Sequence, residues 1–315
     1  MSEKKSLISI IIPVFNEEEG VEIITNKLIE VFAELPKYDY EIICIDDGSD
    51  DGSLKVLETL NKNNSRIKYL SFSRNFGHQT ALKAGLDIAR GDCAITMDAD
   101  MQHPPELIPE LLKKWEEGYE VVFTIRKDDK KLPFFKRLFS RIYYKVVNLL
   151  SDIHIDPGAA DFRLTDRKVL NILKNLSEDK LFLRGMVNWL GFNHYGIDYY
   201  PGVRAVGETK YSFRKMISLG VSGITSFSVR PLRIAAWIGL FAASLGFFYG
   251  IYAIYGFIIG GVNLTGWTSL ITAVIFLGGV QLMTLGIIGE YIGKLFMQMK
   301  GRPNYIVKKS SKDED

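Results

Sequence analysis

Apolar and polar positions along the chain fall into two regimes. Up to residue 126, short apolar runs alternate with stretches whose apolar residues recur at helical spacing. Residues 7–14 are almost continuously apolar, as expected of a parallel strand covered on both faces. In residues 21–35, Val21, Ile24, Leu28, Val31, Phe32 and Leu35 form one stripe of a helix. Further strands are predicted at 40–45, 67–72, 93–97 and 121–125, and helices at 54–60, 79–89 and 105–115. Regular alternation of strand and helix predicts an α/β fold: a doubly wound, mostly parallel sheet with right-handed crossovers.

Beyond residue 126 the pattern changes. Residues 134–150 carry Phe134, Phe135, Leu138, Phe139, Ile142, Tyr143, Val146, Val147 and Leu150, with Lys136, Arg137, Arg141 and Lys145 between them. This basic amphipathic helix fits either a packed surface helix or one lying on a membrane. Residues 210–229 are similar with fewer charges, and they lead into 234–289, which contains no Asp, Glu, Lys or Arg. Within it, 234–259 and 267–289 are each long enough to cross a hydrocarbon core of ~30 Å as a helix. Arg230 and Arg233 precede the first span, and Lys294, Lys300 and Arg302 follow the second. By the positive-inside rule both ends are cytoplasmic and the hairpin tip faces out. The polar residues 1–6 predict no secretory leader, and the charged stretch 308–315 reads as a disordered tail.

The remaining composition excludes little. A net charge of +2 gives no field that points to nucleic acid. Cys44 and Cys93 each lie in an apolar run and read as small core residues, neither a disulfide nor a metal pair.

Candidate chemistry collects in the loops after predicted strands: Phe15-Asn16-Glu17, Asp46-Asp47-Gly48-Ser49 and Asp98-Ala99-Asp100-Met101-Gln102. In open α/β sheets, ligands bind at that edge. Two carboxylates and a carboxamide on one turn can converge on a hard cation, Mg²⁺ or Mn²⁺, completed by substrate phosphates. A solvated acidic turn is the plainer reading of such a motif taken alone. Asp46 and Asp47 likewise serve either a nucleoside or ordinary turn and cap chemistry. No G-x-G-x-x-G or P-loop lysine motif is present, which leaves dinucleotide and Walker-type readings without support. A metal at an acidic turn suits a nucleoside diphosphate leaving group.

The chain resembles the family 2 glycosyltransferases of GT-A fold. More narrowly, it resembles the bacterial polyisoprenyl-phosphate glycosyltransferases, including glucosyltransferases, which are related to dolichol-phosphate mannose synthase. The segments that carry the resemblance are Ile12-Pro13-Val14-Phe15-Asn16-Glu17-Glu18, Asp46-Asp47-Gly48-Ser49, Ser73-Arg74-Asn75-Phe76-Gly77, residues 97–105, Asp161-Phe162-Arg163-Leu164, Gly207-Glu208-Thr209-Lys210-Tyr211-Ser212, Pro231-Leu232-Arg233, residues 285–293 and Arg302-Pro303. Phe15 stands where many relatives have Tyr. His78 stands where they often have Lys or Gln, and it is assigned no role.

The resemblance implies site roles. Pro13, Phe15, Glu17, Asp46 and Asp47 line the nucleoside pocket, with Asp98 on the donor side. Asp98, Asp100 and Gln102 hold the metal and diphosphate. Arg126, Arg137 and Ser140 receive the lipid phosphate, with Lys136 as a possible sharer. Arg204 and Lys210 cover the donor diphosphate, and Asp161 is an essential acid of the acceptor loop. The resemblance further implies a UDP-sugar donor, undecaprenyl phosphate as acceptor, inversion at the sugar, a bacterial inner-membrane location and a tetramer. It divides the chain into a catalytic domain at 1–211, an interfacial helix at 212–229, two transmembrane helices within 230–293 and a cytoplasmic tail at 294–315. Two other readings are a processive polysaccharide synthase and a non-catalytic nucleotide-sugar-binding scaffold. The chain has two spans and lacks a Gln-x-x-Arg-Trp motif, against the first. Asp98, Asp100 and Arg163 are intact, against the second.

Overall fold

The structure is a computed structural model and describes residues 5–127, 145, 148–150, 158–176, 178, 182–200, 225, 228–259 and 266–311. The strands are β1 (Ser6–Val14), β2 (Tyr38–Asp46), β3 (Ile67–Phe72), β4 (Cys93–Thr96), β5 (Val121–Arg126), β6 (Ala159–Asp166), β7 (His194–Tyr199) and β8 (Val307–Ser310). The helices are α1 (Glu18–Ala33), α2 (Ser53–Asn63), α3 (His78–Ile88), α4 (Ile108–Glu116), α5 (Arg167–Asn175), α6 (Leu183–Trp189), α7 (Arg230–Ile259) and α8 (Trp267–Met299). The strands form one sheet in the order β7-β5-β6-β4-β1-β2-β3-β8. β6 runs antiparallel to both neighbours and β8 is antiparallel to β3; the other pairs are parallel.

β1 lies at the centre because both of its faces are apolar. Ile8, Ile10, Ile12 and Val14 join the core beneath α1, α2 and α4, whereas Ile11 joins the core beneath α3, α5 and α6. Close packing there is specific: a Cβ on Gly85 of α3 would stand 2.2 Å from Ile11 Cγ2. Cys44 and Cys93 are buried free thiols in β2 and β4, as the apolar runs predict. Burial pushes Cys44 up to about 12. The strand order reverses direction between β1 and its neighbours β2 and β4, which makes the crevice at their carboxyl ends the switch point of the sheet.

All five predicted strands are present. β6 was not anticipated, because Asp161, Arg163 and Asp166 interrupt its apolar pattern. The charges are tolerated because each has a partner: Arg163 is buried with its Nη2 3.6 Å from Asp161 Oδ1, and Asp166 accepts from Trp115 Nε1 at 2.7 Å.

The expected disorder of the tail is corrected over the described residues. Without β8, β3 would be a sheet edge whose free backbone groups accept a partner strand regardless of side-chain polarity. β8 fills that edge, with Leu70 opposite Ser310 and Ser71 opposite Lys309. Tyr305 stacks on Phe72 with ring centroids 4.9 Å apart, and Lys309 Nζ lies 2.9 Å from Glu58 Oε1.

α7 and α8 are two helices long and apolar enough to cross a membrane. Both outrun the predicted spans: α7 begins at Arg230, and α8 continues through Glu290 and Lys294 to Met299. Nothing in 290–299 breaks a helix; the next proline is Pro303. The helix therefore runs unbroken through residues 294–299. Large side chains along both helices stay uncovered, including Trp237, Phe241, Phe276 and Leu282. That is more contiguous apolar surface than a soluble monomer exposes. The hairpin is tied down at its base, where Tyr291 Oη donates to Ser228 O and Arg230 Nη1 to Leu149 O. Most of the two amphipathic segments, 134–150 and 210–229, lies outside the described residues.

Candidate active site

Two kinds of strand and one helix deliver residues to one sheet edge. The parallel strands β1, β2, β4, β5 and β7 bring their carboxyl ends. β6, being antiparallel, brings its amino end, which places Asp161 beside the acidic turn that follows β4. α3 starts at the same edge, after β3, with His78 and Gln79.

The two turns that flank the switch point each contain a non-glycine residue in the left-handed region: Asn16 (φ 54°) and Met101 (φ 62°). Asn tolerates that conformation through local hydrogen bonding; here Asn16 Oδ1 accepts from Asp50 N and its own N–H donates to Ser49 Oγ. Met101 has no such side chain, and left-handed backbone there costs on the order of 1–2 kcal/mol. The tight turn it makes lets Gln102 N donate to Asp100 Oδ1 at 3.1 Å.

Asp46 and Asp47 are buried. Asp46 accepts from Ser71 Oγ at 2.6 Å and from Ser49 N at 2.9 Å. Asp47 accepts from Phe76 N at 2.7 Å and Gly77 N at 2.9 Å, capping the entry to α3. The turn that follows them and the loop at Arg74 touch closely enough that position 48 must be Gly: its φ is +69°, and a Cβ would stand 2.4 Å from Arg74 C. In this arrangement both carboxylates do the turn and cap work that their sequence context allowed. Pro13 is buried near the end of β1, while Phe15 is 44% exposed at the mouth. Glu17 N donates to Ser53 Oγ.

Asp98 is held on two sides. Its Oδ1 lies 2.8 Å from His78 Nε2, and its backbone N–H donates to His103 Nδ1 at 2.9 Å. Because Nδ1 of His103 uses its lone pair there, the 3.7 Å approach to Asp98 Oδ2 is no hydrogen bond. His103 is buried and stacked on Phe162, ring centroids 5.3 Å apart. Burial alone would raise Asp98; the hydrogen bond and charge of His78, with the charge of Arg184, outweigh it and hold Asp98 at about 2. The same pair raises His78 to about 9 against the opposing effect of burial, helped by Asp161 and Asp47.

Arg126 ends β5 and donates from Nη1 to Gln102 Oε1 at 2.9 Å. The residue expected on the acceptor side thus touches the residue expected at the metal. Asp161 accepts from Gln79 Nε2 at 3.2 Å, and its Oδ1 lies 3.4 Å from Arg184 Nη2 on α6. Burial would raise Asp161, but the charges of Arg184, Arg163 and His78 keep it low and anionic.

Among the described residues no three His, Cys, Asp or Glu side chains form a complete cation cage. The acidic turn instead offers a few hard oxygen donors from Asp98, Asp100 and Gln102. That set fits Mg²⁺ or Mn²⁺, which is commonly held by one or two carboxylates and completed by substrate phosphates. Lys136, Arg137, Ser140, Arg204 and Lys210 lie outside the described residues. Sequence reasoning passed over His78, Gln79, His103 and Arg184. A lone His at a helix start and a lone Arg in Leu183-Arg184-Gly185 carry no spacing signal that would have singled them out.

A three-layer α/β sheet with an acidic turn at its switch point and an apolar helical hairpin behind it defines a membrane-associated glycosyltransferase of GT-A type. The chain belongs to Glycosyl transferase family 2, whose profile matches residues 9–173, and residues 230–295 match the GtrB C-terminal hairpin. It is 41% identical to the SfII prophage-derived bactoprenol glucosyl transferase of Shigella flexneri, over 96% of this chain and 98% of that protein. It is 42% identical to the uncharacterized glycosyltransferase YkcC of Bacillus subtilis, over 96% and 93%. The fold is also similar to that of the mannosyltransferase PcManGT from Pyrobaculum calidifontis, solved with GDP-Man and Mn²⁺. That likeness has a TM-score of 0.50 and 15% identity, over 94% of this chain and 86% of that one.

Proposed function

We propose that the protein transfers one sugar, glucose in the first instance, from a UDP-sugar to undecaprenyl phosphate with inversion at the anomeric carbon. The observation that carries this reading is the gathering of Asp98, Asp100, Gln102, Arg126 and Asp161 at one sheet edge of a chain that also bears an apolar hairpin. The bactoprenol glucosyl transferases among its relatives support glucose and a polyprenyl acceptor.

A phosphomonoester is already an anionic nucleophile near neutral pH, its second pKa being near ~6. A strong general base is therefore unnecessary, and the barrier lies in bringing an anion to an anionic donor. On this reading Phe15 and Glu17, at the exposed mouth beside β1, take the nucleoside together with Pro13, Asp46 and Asp47. Asp98, Asp100 and Gln102 hold Mg²⁺ or Mn²⁺, which would offset charge on the departing diphosphate. Arg126 and, beyond the described residues, Lys136, Arg137 and Ser140 receive the acceptor phosphate; Arg204 and Lys210 cover the donor. Asp161, an anion paired with Arg184 and Arg163, orients cationic groups toward the acceptor. Attack in line with the leaving group turns an α-linked donor into a β-linked lipid phosphate. The reading puts the catalytic domain and both chain ends on the cytoplasmic side of a bacterial inner membrane, and the assembly as a tetramer.

The test is to incubate membranes containing the full chain with undecaprenyl phosphate and a panel of nucleotide sugars, then weigh the lipid product. A single added hexose from UDP-glucose is expected. A polymer would favour a processive synthase, and no product from any donor would favour a binding scaffold.

A further inference from the structure

Arg184 belongs to none of the motifs described above, yet it faces the site. Its charge acts on Asp161 of β6, on Asp98 of the acidic turn and on Tyr199 at the end of β7. The guanidinium stands beside Asp161, which also accepts from Gln79, the neighbour of the His78 that meets Asp98. Its link to Asp161 is loose: 3.4 Å from Nη2 to Oδ1, an ion pair rather than a short hydrogen bond. Its Nε is the one buried side-chain nitrogen or oxygen without a hydrogen-bond partner among the described residues. A buried N–H left unpaired is costly, and such groups call for an explanation. The side chain as a whole keeps 24% of its surface exposed while Nε itself is buried, so a ligand that pairs with Nε must enter beside the guanidinium and displace what covers it.

The surroundings narrow what could satisfy it. Three carboxylates gather at the start of α3: Asp47 caps Phe76 and Gly77, Asp98 meets His78 and Asp161 meets Gln79. A phosphate entering there needs cations that reach it directly. A guanidinium presents Nε–H and Nη–H as a planar fork that matches two oxygens of one phosphate.

We infer that Arg184 is a phosphate receptor of the active site, its orphaned Nε–H and an Nη–H taking two oxygens of a phosphate group between Asp161 and Asp98. The inference rests on the proposed sugar transfer, which supplies two candidate phosphates: the monoester of the acceptor and the diphosphate of the donor. Both present the same oxyanion chemistry to the fork.

The experiment uses the full chain in detergent or nanodiscs and compares wild type with Arg184→Gln and Arg184→Lys. Dodecyl phosphate serves as the monoester probe and UDP with Mn²⁺ as the diphosphate probe, both by calorimetry beside thermal melts. Loss of a charge-assisted fork should weaken one probe by at least ~10-fold in the Gln variant. The Lys variant should recover only part of that loss, because an ammonium cannot make the fork. A loss confined to dodecyl phosphate assigns Arg184 to the acceptor, and one confined to UDP assigns it to the donor. Unchanged titrations in both variants would overturn the inference. So would the disappearance of the Arg184→Gln effect in an Asp161→Asn background, which would reduce Arg184 to a counter-ion. The Lys variant carries the comparison if the Gln variant does not fold. Wild type that binds dodecyl phosphate through Arg184 but makes no glycolipid would refute the proposed reaction and leave the receptor standing. Wild type that makes glycolipid while both variants titrate like it would do the reverse.

Discussion

His78 Nε2 lies 2.8 Å from Asp98 Oδ1, joining the first turn of α3 to the acidic turn after β4. The pairing crosses β1 and connects two loops that the chain makes separately. Asp47 supports it from a third loop by capping Phe76 and Gly77 immediately before His78. Three strand-end loops are thereby locked into one surface.

That lock predicts a positioning role for His78. Partners that orient a ligating carboxylate typically affect metal affinity by 10–100-fold. His78→Ala should raise the Mn²⁺ concentration needed for half-maximal rate by about 10-fold, in keeping with that range. His78→Gln, whose amide can still donate, should recover much of it. An unaltered Mn²⁺ titration in the Ala variant would show that Asp98 needs no such support.

Asp100 should be less forgiving. It bounds the Met101 turn and offers the carboxylate nearest Gln102. Asp100→Asn is expected to slow turnover by at least ~10²-fold, the usual cost of losing one strong transition-state stabiliser. EDTA should abolish the rate, and added Mg²⁺ or Mn²⁺ should restore it. Equal rates with and without chelator would remove the metal from the scheme.

Tyr305 tests the C-terminal strand. It stacks on Phe72, which in turn meets Phe76 edge-on at 5.7 Å, so the strand is packed against the loop that Asp47 caps. Tyr305→Ala removes a half-buried aromatic and should cost about 2–3 kcal/mol, within the range for large-to-small changes. For a chain of this size that is a thermal midpoint lower by several degrees, about 4–10 °C. A midpoint unchanged by truncation after Pro303 would mean that β8 contributes nothing to the fold.

Topology can be read by labelling. Both native cysteines are buried, so background reaction should be low. A cysteine at Asn263, outside the described residues, should react with an impermeant reagent on intact cells. One at Lys308 should react only in opened cells. The opposite pattern would put the catalytic domain outside.

Five of the six parallel strands, β1 to β5, with the helices between them and the apolar hairpin, follow from local pattern, because burial on both faces or in lipid leaves a continuous apolar signature in the chain. The loops with Asp46, Asp98 and Asp100 could be placed on one edge for the same reason: parallel strands deliver their carboxyl ends together. β6 could not be read this way, since its charged residues find partners on other elements: Asp161 meets Arg184 of α6, and Asp166 accepts from Trp115 Nε1 of α4. β8 likewise depends on an open edge at β3, more than 200 residues earlier in sequence. His78 meeting Asp98, Arg126 meeting Gln102 and Arg184 standing with an unpaired Nε are consequences of where separate elements come to rest. Side-chain chemistry is local to each residue, but the partner that gives it a use is chosen only when the sheet closes the distance.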